Sequence, residues 1–226
     1  MVDGNIVKPT SVLNLLGVSF DRRLTVSPHD AEVARSARQR ASLIARLAHH
    51  LPRGELLRQL SMGLVVGKLS HALAAVASPR LREDDQSQNA SYKAVQVAIN
   101  DVARTLTGVK RSDHIPVKDL LNKAGLPSVN RLVVKAVAME AWKAYASTDG
   151  GGGSRNPIGS MMFDCNIETR PTRSTEAGLV KVPLRGCNTF ITHAATVWNN
   201  SEDLRVAKTS SAAKRVAKDI AKKAPL

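Results

Sequence analysis

Arg35, Arg38, Ser42, Arg46 and His49 recur at three-, four- and eight-residue intervals, the spacing that gathers side chains on one face of a helix. Guanidinium groups one to two turns apart can track the phosphates of a nucleic acid. A basic helix face is also common as plain solvated surface, and spacing alone leaves both readings open. Arg22 and Arg23 after an apolar run, and Lys110 and Arg111 in a polar loop, add cations outside that face. The whole chain carries 33 Lys and Arg against 19 Asp and Glu, a net charge of +14. That balance points to a polyanion as partner: nucleic acid, or an acidic membrane face.

Other chemistry fits poorly. No His-Glu-x-x-His, Walker loop or Gly-x-Ser-x-Gly elbow occurs. The glycines at 150–153 lack the Lys that follows in a phosphate loop. Ser112-Asp113-His114 holds triad residue types, but neighbours in sequence cannot form the triad geometry. His49-His50 reads as a helix-end pair near the C-terminal dipole rather than a metal site. Asp84-Asp85 is the sole Asp-Asp pair, and adjacent acids in a loop rarely present a preformed cation site. Cys165 and Cys187 lack metal-ligand spacing; a disulfide between them is unsupported, and a reducing compartment fits better. Trp142, Trp198 and Tyr92 can stack on bases, although anchoring in a core is the commoner fate of such rings. The residues thus suggest no catalytic group and no metal ligand.

The elements that must position these residues are mostly helices. Apolar content is 43% but aromatic content only 3%, so the core must be aliphatic. Asp3-Gly4-Asn5 predicts a hairpin turn. Leu13 to Phe20 predicts a strand, with Gly17 inside it as a bulge or a point of close backbone approach. Ser27-Pro28-His29-Asp30 predicts a helix start, with Ser27 as cap, Pro28 in the first position and Asp30 as the capping-box acid. That helix should run to about His50. Val33, Ala37, Ile44, Leu47 and Leu51 form its apolar face, with Arg40 at the edge. A second helix is expected from Gly54 to Ala77. Its Lys68 and His71 argue against a membrane span, and Gly63, Gly67, His71 and Ala75 make a small-residue ridge suited to close packing. A polar loop at 82–88 leads to a helix at 89–107 closed by Gly108. Further helices are expected at 116–124, stopped by Gly125, at 128–147, at about 191–200, and along the basic tail Lys208 to Lys223. Asp149 to Ser154 reads as a flexible linker, and 155–188 as extended or partly disordered. Residues 1–10 show no signal-peptide pattern.

Several blocks resemble, in order, the C-terminal part of non-LTR retrotransposon reverse transcriptases. They are Leu15-Leu16-Gly17-Val18-Ser19-Phe20-Asp21-Arg22-Arg23-Leu24, Arg46-Leu47-Ala48-His49-His50-Leu51-Pro52, the apolar helix at 60–77, Val102 to Gly108, Leu120 to Ser128, and Phe190 to Asn200 with its Trp198-Asn199-Asn200. The resemblance implies the end of a palm, a thumb and a trailing region of an RNA-directed DNA polymerase. The fold class expected is mainly α. A short N-terminal β-hairpin or strand remnant (1–26) precedes a helical thumb-like bundle (27–148), a flexible linker (149–189) and C-terminal basic helices (190–226). Leu16, Gly17, Val18 and Phe20 would be primer-grip-like. Arg22, Arg23, Arg35, Arg38, Arg46, Lys110 and Arg111 would contact RNA and DNA through sequence-independent backbone contacts. The family's metal-holding carboxylates, including its aromatic-x-Asp-Asp hairpin, have no counterpart here. The chain is therefore expected to bind template and primer without catalysing, with no cofactor of its own and Mg²⁺ only in the missing part. No membrane and no small-molecule substrate are expected, and the compartment is expected to be intracellular. The alternative is a domesticated or decayed helical scaffold for protein partners.

Overall fold

The computed structural model describes residues 10–83, 90–149, 153–154, 157–163, 178–182 and 190–225. The chain is mainly α, as its aliphatic, helically spaced apolar residues require, with two short antiparallel strand pairs among the described residues. It divides into two compact units: Met1–Ala72 with Asn89–Leu126, and Leu73–Gln88 with Pro127–Leu226. The cuts expected at 26/27 and 148/149 thus fall inside units.

In the first unit, β1 (Val12–Leu15) pairs with β2 (Val18–Asp21), Val12 opposite Asp21 and Leu15 opposite Val18. The single strand expected at 13–20 is therefore a hairpin. Leu16 and Gly17 form its turn with φ of 49° and 82°. Two positive φ values in a two-residue loop match the right-handed twist of the flanking strands. Gly17 is the turn residue, not a bulge. The turn expected at Asp3-Gly4-Asn5 lies outside the described residues. The Asp21 carboxylate accepts from the amides of Arg23 and Thr25 (2.9 and 2.8 Å) and from the Thr25 hydroxyl (2.6 Å). These bonds hold the Asp21 carboxyl below the usual carboxylate range, the Thr25 hydroxyl contributing most. They also set the entry into α1 (Ser27–Leu47).

Ser27 does not cap α1. The cap position is Val26, with no side-chain bond, and Pro28 stands in the first turn as expected. The Asp21–Thr25 network already organises the polar groups here, and Ser27 Oγ only accepts from the Thr25 hydroxyl at 3.2 Å. The helix ends at Leu47 and a turn carries the chain past His50. Ala34, Ala37, Ala41 and Ile44 are buried, and α1 packs on α4 (Ala90–Thr107). Val95, Ala98, Ile99, Val102 and Ala103 of α4 are buried too. β2 lies against α1, and α5 (Val117–Ala124), ended by Gly125 at φ 66°, lies against α4.

The long helix expected from Gly54 to Ala77 is interrupted. It runs as α2 (Glu55–Ser61), widens to a π-helix over Met62–Gly67, and stops before Ala72, whose φ is 53°. Two glycines within the widened turn weaken its helical preference. Arg40, half-buried, donates to the Leu64 carbonyl at 2.8 Å and so bonds the widened turn from α1. Gly63, Gly67, His71 and Ala75 are all exposed, and a Cβ at Gly63 would meet nothing within 4 Å. The small-residue ridge therefore does not serve helix packing among the described residues.

The second unit centres on α6 (Val129–Ala146), capped by Ser128 and buried on most of its circumference. Around it pack α3 (Leu73–Val76), α7 (Pro157–Phe163), α8 (Phe190–Asn199) and α10 (Ser210–Lys223), with α9 (Glu202–Arg205) between the last two. The ends of the expected 149–154 linker are paired strands, β3 (Thr148–Asp149) and β4 (Gly153–Ser154). Residues 150–152, and most of 155–188, lie outside the described residues. Buried Asn130 links remote segments. Its side chain accepts from the Arg80 amide (2.8 Å) and donates to the Arg80 and Pro225 carbonyls (2.9 and 2.7 Å). Asn199 clasps Val180 in the same two-way manner.

Two outcomes follow. Asn130→Ala removes these bonds to half-buried backbone groups of Arg80 and Pro225 and should cost about 1–3 kcal/mol in urea unfolding; an unchanged midpoint would refute the role. His29 is buried, and its Nε2 has no hydrogen-bond partner among the described residues. Burial pushes its imidazole below the ordinary 6.5, with His71 and Lys68 adding to the effect and Glu32 opposing it. The folded unit then binds fewer protons than the unfolded chain, so stability is complete above pH 6.5 and declines as pH falls towards the folded value. His29→Leu should flatten that decline in melting temperature; an equal decline in both proteins would assign it elsewhere.

Candidate nucleic-acid interface

The apolar face of α1 is committed to α4, which leaves its opposite face to solvent. Arg35, Arg38, Ser42, Arg46 and His49 are all exposed. From Arg35 to Arg46 the row extends roughly 17 Å along the helix. Arg35 has one loose neighbour, Glu32, at 3.7 Å with both side chains mostly exposed, a geometry worth little in water. Arg38 and Arg46 form no ion pair among the described residues. Unpaired guanidinium groups of this kind remain available to phosphate oxygens, which they bind in the charge-assisted, forked manner.

The other expected cations stand differently. Arg22 and Arg23 are exposed in the turn between β2 and α1. Lys110 and Arg111 are exposed after α4, but Arg111 is bonded to Asp101 at 2.8 Å, with Arg104 at 3.7 Å from the same oxygen. All seven belong to the first unit. Arg40, read only as an edge residue, is bonded to a backbone carbonyl. No spacing signal shows that, because the acceptor lies 24 residues away.

The primer-grip-like group is split. Leu16 is 89% exposed and Gly17 is exposed, whereas Val18 is buried and Phe20 half-buried. A Cβ at Gly17 would lie 3.1 Å from His71 Nε2. Leu13, Leu15 and Leu24 are exposed as well, so the hairpin presents an apolar surface that alternation did not foretell.

Neither tryptophan is a stacking platform. The Trp142 indole donates to the Ala207 carbonyl (2.8 Å) and the Trp198 indole to the Gly178 carbonyl (2.9 Å). Trp198 is buried, with the Tyr145 ring 4.8 Å away. Tyr92 is half-buried, and burial together with Asp30 pushes its phenol upward. In Ser112-Asp113-His114 the Asp113 carboxylate accepts from the Lys110 amide (2.8 Å) and from the Ser112 hydroxyl (3.3 Å), which caps a short 3₁₀ turn. Among the described residues no group of three or more His, Cys, Asp or Glu could hold a metal ion. Asp84, Asp85, Cys165 and Cys187 lie outside them. No described helix is long and apolar enough to cross a membrane. The second unit has a groove of about 300 Å³ lined in part by Glu202, Asp203, Asp219 and Lys223; its three carboxylates disfavour phosphate there.

Turn chemistry here is directly testable. Leu16 is strained at positive φ with its side chain in solvent, so Leu16→Asn should stabilise the chain by roughly 1 kcal/mol. Gly17→Ala should lose about 1–2 kcal/mol, made worse by the His71 contact. Thermal unfolding that moves in neither direction would contradict this turn. Compared with protein-family models, curated proteins and solved structures, the chain matches none.

Proposed function

We propose that the first unit binds the sugar–phosphate backbone of an RNA–DNA template–primer duplex, in the manner of the thumb of a non-LTR retrotransposon reverse transcriptase. The observation that supports this reading is the exposed row Arg35, Arg38 and Arg46 on a helix whose other face is buried. Contacts from such a row go to phosphates, which fix position and carry no sequence information. Arg22, Arg23 and Lys110 are further exposed cations of the same unit. Arg111 contributes less, because Asp101 already shares its charge. The role is one of binding: bond formation belongs to carboxylates and Mg²⁺ that this reading places in a separate part of the polymerase.

A second reading, a helical scaffold for protein partners, is favoured by a different observation, the exposed leucines of the β1–β2 hairpin and of the turn after it. Exposed apolar side chains gathered in one place commonly mark protein contacts.

Binding of the full chain to a labelled RNA–DNA hybrid, measured across salt, separates the two. Arg35→Glu, Arg38→Glu and Arg46→Glu together should weaken binding and reduce the slope of log K against log salt by about 3, near 0.9 per lost contact. A salt-independent affinity, no binding at low salt, or an unchanged slope in the triple variant would overturn the thumb reading. Crosslinking that recovers one defined protein and no nucleic acid would favour the scaffold.

A further inference from the structure

A second row of cations lies on the other unit. On α10, Lys214, Lys218 and Lys222 follow one another at four-residue intervals with Arg215 beside them, and all four are exposed. The opposite side of the helix, Ala213, Ala217 and Ala221, is buried, and α10 packs on α6. The helix is fastened at both ends. Thr209 Oγ1 accepts from the Ala212 amide (3.2 Å) at its start. At its end Asn130 donates to the Pro225 carbonyl (2.7 Å), and Arg131 donates to the Lys222 carbonyl (3.4 Å). The cations are therefore a fixed array rather than a frayed tail. Asp219, the one acid on the helix, is bonded to Lys222 at 2.9 Å. Lys214, Arg215 and Lys218 form no ion pair among the described residues.

We propose that this face of α10 is a second nucleic-acid contact, independent of the α1 row, that takes the phosphodiester backbone. Cations repeating at about 6 Å along a rigid axis suit a repeating polyanion. A helix that lies in a membrane surface needs a free apolar face. The apolar side of α10 is already buried against α6, and none of its large apolar side chains is exposed. The fixed geometry also limits the ordering cost of binding, since the helix need not form on contact.

The test uses the full chain and a labelled RNA–DNA hybrid, with anisotropy read across a KCl series. Four proteins are compared with the parent: the α1 triple variant above, the α10 triple K214E/R215E/K218E, the two combined, and the neutral triple K214Q/R215Q/K218Q. The α10 triple should lower the salt slope by about 3, both alone and in the background of the α1 triple. K214Q/R215Q/K218Q, with an unchanged circular dichroism spectrum, should lower it in the same direction, which separates lost contacts from lost folding. An α10 triple that binds like the parent, while the α1 triple loses affinity, would overturn this inference and leave the α1 reading standing. Loss in the α10 triple alone would support α10 and sink the α1 reading. Binding to phosphatidylserine vesicles that depends on the same three side chains, with hybrid binding unaffected, would overturn the choice of nucleic acid.

Discussion

Close packing of helices through alanine is the constraint on which both units depend. The chain has few aromatic residues, so it cannot fill wide gaps between helices with rings. It brings helices together instead. In the first unit Ala34, Ala37 and Ala41 of α1 are buried in the pairing with α4, which buries Ala98 and Ala103. In the second, α6 buries Ala138, Ala141 and Ala144, α8 buries Ala194 and Ala195, and α10 buries Ala213, Ala217 and Ala221. Interiors packed to the density of organic crystals do not tolerate voids, and small side chains meet that demand by shortening the distance between axes.

Charge placement follows from the same constraint. A helix that buries an alanine stripe has no room for an unpaired guanidinium on that side, and desolvating one without a partner is prohibitive. The arginines of α1 and the lysines of α10 are therefore driven to the outer faces as rows. Arg40 shows the exception and its condition: it lies half-buried because the Leu64 carbonyl, in the widened π turn, accepts from it. The proposed functions rest on this separation of an apolar seam from a cationic face within one helix.

Polar side chains then tie down what the helices leave loose. Asp21 organises the turn into α1, Asn130 joins the segments at 80 and 225, and Asn199 with Trp198 fixes residues 178–180 onto α8. The Trp198-Asn199 pair serves as packing and as a backbone clasp.

Helices with a strong apolar period and clear punctuation are legible in the amino-acid order alone. The helix of 89–107, the helices ended by Gly125 and begun by Ser128, and the basic row on α1 were all legible, because each depends on residues within a few turns of one another. The remaining features depend on partners distant in sequence or on backbone angles that composition does not encode. The hairpin at 12–21 replaced a single strand because Leu16, not a usual turn residue, accepts a positive φ beside Gly17. The second long helix broke because Ala72 takes the left-handed conformation. The glycine ridge proved exposed, and the two tryptophans proved internal, because burial is settled by what packs against a face and not by the face itself.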